Sequence, residues 1–176
     1  MSTVIIGIIL GVAALLLIGK GRGPKQYSPG SPEAVALFRQ GAYLAGVPIE
    51  WANSPALHWV LGKESNGWVG VPNYTYGHRW RGTGDARSLS EAVHAHRSDW
   101  SEVWNELRQG KITAKSSATG LGQLLLSNVD RYYPDGRAGI GVAEQEAAGM
   151  LAYIKDRYGS PERAQELYGK QGFEGY

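Results

Sequence analysis

At three places the chain reads Ser-Pro at the head of a run that suits a helix: Ser31-Pro32, Ser54-Pro55 and Ser160-Pro161. A Ser hydroxyl just outside a helix accepts from the free N–H groups of the first turn. A Pro in the first helical position has no N–H to leave unsatisfied. Each pair therefore marks a helix start, and Ser88-Leu89-Ser90-Glu91 marks a fourth as a capping box. Apolar spacing read onward predicts helices over about 32–45, 55–65, 88–109, 121–131, 143–158 and 161–169. The helix from 88 places Leu89, Val93, His96, Trp100, Val103, Trp104 and Leu107 on one face. Between Trp68 and Gly84 the Gly, Pro, Asn and aromatic residues follow no helical period. That stretch is expected to be a loop or small hairpin at the rim of a cleft. The expected class is mainly α, with a minor β or loop lobe.

With 176 residues, the chain can hold one domain of ordinary size plus an anchor. There is no cysteine, which excludes disulfides, thiolate metal sites and a cysteine nucleophile. The net charge of +2 is too mild to argue for nucleic acid, and no Lys/Arg cluster is interleaved with aromatic residues. Six Trp and ten Tyr stand against two Phe. Flat rings with polar tips suit stacking on sugars, and they equally suit the filling of a core. His94 and His96 are two apart and point to different faces of a helix, so they do not make a metal pair. His58 and His78 read as packing or rim residues. The Gly-x-Gly steps at Gly82, Gly120 and Gly139 lack the strand–helix setting and acidic partner of a nucleotide site.

Residues 2–19 carry no charge, and residues 4–18 are nearly all aliphatic, with Gly7 and Gly11 in G-x-x-x-G spacing. As a helix this run reaches roughly 25 Å, against a hydrocarbon core of about 30 Å. No positive charge precedes it and no A-x-A cleavage site follows it, so residues 1–19 read as an uncleaved transmembrane anchor. Lys20, Arg22 and Lys25 follow at once, which by the positive-inside rule turns the C-terminal part to the cytoplasmic side. Residues 20–32, rich in Gly, Pro and Ser, read as a linker, and residues 33–176 as the folded domain.

Ala56, Leu57, Trp59, Val60 and Leu61 make the second helix apolar on its inner side, and Glu64 comes as that helix ends. Burial there would disfavour the charged carboxylate and raise its pKa, which is what protonation of a glycosidic oxygen needs. Spacing alone favours the plainer reading, a solvated Glu at a helix end.

Further residues add to that. Glu64-Ser65, then Ser117-Ala118-Thr119-Gly120-Leu121-Gly122-Gln123-Leu124, resembles the Glu-Ser and Gly-Leu-Met-Gln motifs of soluble lytic transglycosylases, members of the lysozyme-like superfamily. The run from Ala148 through Tyr153-Ile154-Lys155-Asp156-Arg157-Tyr158-Gly159-Ser160-Pro161 to Ala164 resembles the later part of these domains, most of all the versions in phage virion and tail proteins. Gly122 stands where the motif has Met, and Gly169 where the family's Tyr is followed by Asn. The stretch from about 85 to 110 is an insertion relative to compact members.

The resemblance, over residues 33 to 176, implies an α+β lysozyme-like fold and cleavage of peptidoglycan glycan strands. By position Glu64 matches the single catalytic acid/base, Gln123 the Gln that contacts an N-acetylated sugar, and Tyr168 the Tyr that hydrogen-bonds near the catalytic Glu. Ser117 or Ser116 matches a Ser ahead of the Gly-Leu-Met-Gln motif, and Ser65 and Ser117 are expected among the substrate contacts. No cofactor or metal is expected. The implied partners are peptidoglycan, a membrane through the N-terminal helix, and virion membrane or capsid proteins, and the implied location is a virion membrane. A hydrolase (a muramidase) would need a second acid, for which Asp85, Asp99, Asp130 and Asp135 are present. A bacterial cell-wall remodelling enzyme and a non-catalytic wall-binding or virion module remain as alternatives.

Overall fold

A computed structural model describes residues 25–72 and 116–170. The described part is mainly helical and holds no strand, only three isolated bridges: Gln26 with Trp68, Pro72 with Thr119, and Thr119 with Leu124. Its helices are α1 (Pro32–Ala45), α2 (Pro55–Glu64), α3 (Leu126–Tyr132), α4 (Ala143–Tyr158) and α5 (Pro161–Lys170), with 3-10 turns at Ile49–Asn53 and Gly136–Gly139. The expected anchor at 1–19, the expected helix at 88–109 and most of the expected rim lie outside the described residues. Among the described residues no helix is long and apolar enough to cross a membrane.

The Ser-Pro starts behave as capping chemistry requires. Ser31 Oγ accepts the Ala34 N–H at 3.1 Å ahead of α1. Ser54 Oγ accepts the Leu57 N–H at 3.4 Å ahead of α2. Ser160 Oγ accepts the Arg163 N–H at 3.2 Å ahead of α5. Ser54 Oγ also donates to Glu162 Oε1 at 2.6 Å, so one hydroxyl caps α2 and ties it to the start of α5.

Helix α1 lies along α4, and α2 packs on α5. The α1–α4 contact is close because Gly41 faces Ala147. A Cβ on Gly41 would stand 2.8 Å from Ala147 Cβ and 2.9 Å from the backbone behind it. Leu37, Phe38, Leu57, Val60, Leu61, Leu121, Met150, Leu151 and Ile154 form one apolar core between these helices. Each such side chain removed from water contributes about 1.5–3 kcal/mol. A smaller cluster of Leu124, Val129, Tyr133 and Tyr153 seats α3. His58, read as a packing residue, is buried; its ring meets Phe38 edge-on and Nε2 lies 2.9 Å from Ala52 O.

Two boundaries differ from the sequence expectation. Residues 25–30, taken as the end of a linker, are part of the packing. Tyr27 N–H donates to Gly67 O at 2.8 Å, Val69 N–H donates to Lys25 O at 3.0 Å, and the Tyr27 ring lies in the core. The helix expected over 121–131 starts only at Leu126. Ahead of it, Thr119 and Leu124 exchange both backbone hydrogen bonds, at 3.0 and 3.1 Å, and close a tight turn. Gly120 at φ 73° and Gln123 at φ 48° adopt left-handed backbone that a helix cannot contain.

Candidate active site

Glu64 is the last residue of α2, the helix that packs on α5. Part of the residue stays exposed, but Oε1 is sealed from solvent and has no hydrogen-bond partner among the described residues. Burial pushes the carboxyl up to about 8, and a hydrogen bond from the Tyr168 side chain opposes the rise. Desolvation thus outweighs the one interaction that favours charge. Tyr168, on α5, meets the Trp59 ring edge-on at 5.3 Å, and Lys63 Nζ lies 5.3 Å from the centre of that indole.

From α4 come Tyr153 and Tyr158, whose rings meet at 6.1 Å. Burial raises both hydroxyls, Arg157 counters it, and charge on Glu64 raises them further, which sets both tyrosines in the field of the carboxyl. Arg157 Nη1 donates to Tyr153 Oη at 2.7 Å. The surroundings of Glu64 are therefore aromatic and hydroxylated, with Trp59, Tyr153, Tyr158 and Tyr168 contributed by three helices.

Ser65 follows Glu64 and is buried. Its Oγ donates to Leu121 O at 2.8 Å and accepts the Gly67 N–H at 3.1 Å. Its hydroxyl thereby fastens the end of α2 to the 119–124 turn. Gln123 closes that turn and is buried as well. Its Nε2 donates to Val71 O and Gly120 O, both at 3.0 Å, so both amide protons are engaged and Oε1 is the atom it can offer a ligand. Ser117 is exposed and its Oγ accepts the Leu126 N–H at 3.3 Å, at the start of α3; Ser116 Oγ accepts the Ala118 N–H at 3.0 Å. Glu64 and Tyr168 are brought together directly. Ser65 and Gln123 meet through the turn, while both serines ahead of the motif hold local backbone.

Gly122 leaves no room for a side chain of its own. A Cβ on Gly122 would stand 3.0 Å from Met150 Cγ, so α4 fills that space. Of the carboxylates weighed as a second acid, Asp130 is paired with Arg137 at 2.9 Å and Asp135 bonds Gln145; Asp85 and Asp99 lie outside the described residues. Among the described residues no group of His, Asp and Glu is arranged to hold a metal.

One buried carboxyl beside the 119–124 turn escaped the sequence. Glu146, in the first turn of α4, is completely buried under the 119–124 turn. Its carboxyl accepts the backbone N–H groups of Gly70, Leu121 and Gly141. Tyr133 lies beside it with a buried hydroxyl that has no partner among the described residues. A Cβ on Gly120 would stand 2.5 Å from Tyr133 Oη and 2.8 Å from Glu146 Oε2, so only glycine fits there, apart from its positive φ. In sequence Glu146 looks like any acidic residue at a helix N-terminus, and nothing local separates it from Glu144. Comparison of the chain with protein-family models, with curated proteins and with solved structures gives no match.

Proposed function

We propose that this chain is a peptidoglycan lytic transglycosylase that cleaves the bond between N-acetylmuramic acid and N-acetylglucosamine and leaves a 1,6-anhydro product. The observation that carries the reading is the state of Glu64. It is a carboxyl held protonated near neutral pH by burial, with one oxygen unpaired, amid aromatic and hydroxyl side chains. A general acid needs a proton at working pH and an unengaged atom to deliver it. The motif order, Glu64-Ser65 before Gly120-Leu121-Gly122-Gln123 before Tyr168, supports the same reading. The finer architecture that goes with it is lysozyme-like, with an N-terminal membrane anchor. A phage virion membrane is the location that fits an anchor followed by positive charge.

The reaction needs one carboxyl. Protonated Glu64 gives its proton to the glycosidic oxygen as the bond from that oxygen to muramic C1 breaks. The acetamido oxygen of the same sugar bonds to C1 and holds the developing positive charge. The Glu64 carboxylate then takes the proton of the C6 hydroxyl, O6 bonds to C1, and the acetamido oxygen departs. Glu64 ends protonated, and no water is consumed. The Tyr168 hydroxyl stabilises the carboxylate form that exists between the two proton transfers.

The test is mass spectrometry of purified peptidoglycan treated with the full chain in detergent, beside Glu64→Gln. Products ending in 1,6-anhydromuramic acid are expected, with the rate reduced at least 10²–10⁴-fold, in order of magnitude, in the variant. Reducing-end products would make the enzyme a hydrolase. Binding of peptidoglycan without products from either chain would make it a wall-binding module.

A further inference from the structure

Glu146 takes no part in the proton transfers assigned to Glu64, yet its carboxyl is ringed by backbone donors from three separate stretches of chain. Gly141 N–H donates to Oε1 at 2.7 Å from the approach to α4. Leu121 N–H donates to Oε2 at 2.9 Å from within the 119–124 turn. Gly70 N–H lies between both oxygens, at 2.9 and 3.0 Å, on the segment that leaves Glu64-Ser65. A carboxylate accepts all three. A protonated carboxyl must aim its own O–H somewhere, and around Glu146 most directions already hold an N–H.

One direction differs. The titratable side chain facing Glu146 is Tyr133, from the end of α3. Its hydroxyl is buried and has no partner among the described residues, and burial, then the charge on Glu146, holds its pKa well above the usual value. The hydroxyl and the carboxyl flank the same glycine, Gly120. On gaining a proton, Glu146 can turn toward the open Tyr133 oxygen, but only by leaving an amide of the turn unaccepted. Burial favours that proton, and against the pull of the three amides it pushes the Glu146 carboxyl up to about 7.

We infer that Glu146 is a positioning residue for the reaction assigned to Glu64, an inference that rests on that reading: as a carboxylate it clamps the turn carrying Gln123 to the segment leaving Glu64, and on protonation it releases them. The two buried carboxyls then work in opposite states. Glu64 acts while protonated and Glu146 while ionised. Activity is confined to a window with an acid limb set by Glu146 and an alkaline limb set by Glu64.

The test follows the backbone amides of Gly70, Leu121 and Gly141 by NMR against pH in the isotope-labelled full chain in detergent. Beside it runs the pH dependence of kcat/KM for the wild-type chain and for Glu146→Gln. The three amides are expected to shift together along one curve that coincides with the acid limb. Glu146→Gln is expected to abolish that limb and raise KM roughly tenfold, with a smaller change in kcat. Amides that move on separate curves, or not at all, overturn the clamp, and so does an acid limb that persists in Glu146→Gln. Should Glu146→Gln fail to fold, the wild-type amide curves against the wild-type acid limb decide alone. Activity surviving in Glu64→Gln would overturn the reaction assigned to Glu64, and the amide curves, which need no substrate, would still decide whether the clamp exists.

Discussion

Burial raises the pKa of both buried carboxyls, and a tyrosine hydroxyl stands near each of them. Tyr168 reaches Glu64 with a hydrogen bond that favours the charged form, while burial favours the neutral one and prevails. Removing that hydroxyl in Tyr168→Phe leaves burial unopposed, so the Glu64 pKa rises further. The alkaline limb of kcat/KM is therefore expected to move above its wild-type position near pH 8. A hydrogen bond to a charged group is worth about 1.5–3 kcal/mol, so kcat is expected to fall by roughly 10–100-fold as well. A pH–rate profile reads both effects, and an alkaline limb that stays put or moves down would remove Tyr168 from the site. Tyr133, by contrast, stands beside Glu146 without a hydrogen-bond partner among the described residues. Glu64 and Tyr168 were singled out in the sequence only by the resemblance of their motifs, since spacing by itself favoured a solvated Glu. The sequence was silent on Tyr133 and Glu146, because neither sits in a pattern of residues close to it along the chain.

At the scale of helices, local chemistry did most of the work. The caps at Ser31, Ser54 and Ser160 each involve atoms within three residues, and α1, α2, α4 and α5 begin where those caps and the apolar spacing put them. The 119–124 turn is where local reading failed. Its residues scan as a helix, but Leu121 N–H is taken by Glu146, and Gly120 and Gln123 sit at positive φ. A distant acceptor overrode the local preference. Contact between elements is equally specific. At Gly41 an added Cβ would meet Ala147 Cβ at 2.8 Å and the backbone of α4 at 2.9 Å, and backbone does not yield as a flexible side chain does. Gly41→Val is expected to pry α1 from α4 and destabilise the chain by about 1–3 kcal/mol. Thermal unfolding of the full chain measures this, and an unchanged Tm would mean that the two helices do not approach so closely.

Over the whole molecule, two raised carboxyl pKa values give stability a definite dependence on pH. Both start from 4.5 and rise, Glu64 to about 8 and Glu146 to about 7. Between those limits the folded chain holds protons that the unfolded chain has lost, so stability falls as pH rises. Their contribution is full below about pH 4.5 and is lost by about pH 8. A loss of the order of a few kcal/mol for each is expected. Scanning Tm from pH 5 to pH 8 should show a steady fall, and Glu64→Gln, which has no proton to lose, should make it shallower. A Tm that climbs over that range would mean that the carboxyls are paired rather than desolvated.

The starts of α1, α2 and α5 were decided by the sequence, because a capping bond is made by atoms a few residues apart and needs nothing from the rest of the chain. Glu64 is a different case: its place at the end of an apolar helix favoured a solvated carboxylate, and only the resemblance of its motif marked it as a candidate acid. Only the tertiary structure decided the surroundings of Glu64, because α5 has to pack on α2 before Tyr168 can reach it. Glu144 and Glu146 make the same point more sharply. They are two residues apart in the first turn of α4, and neighbours along the chain do not distinguish them. Glu146 is the one held in the interior, where the backbone N–H groups of Gly70, Leu121 and Gly141 converge on it. Those donors lie 76, 25 and 5 residues away along the chain, and only the folded chain brings them to one carboxyl.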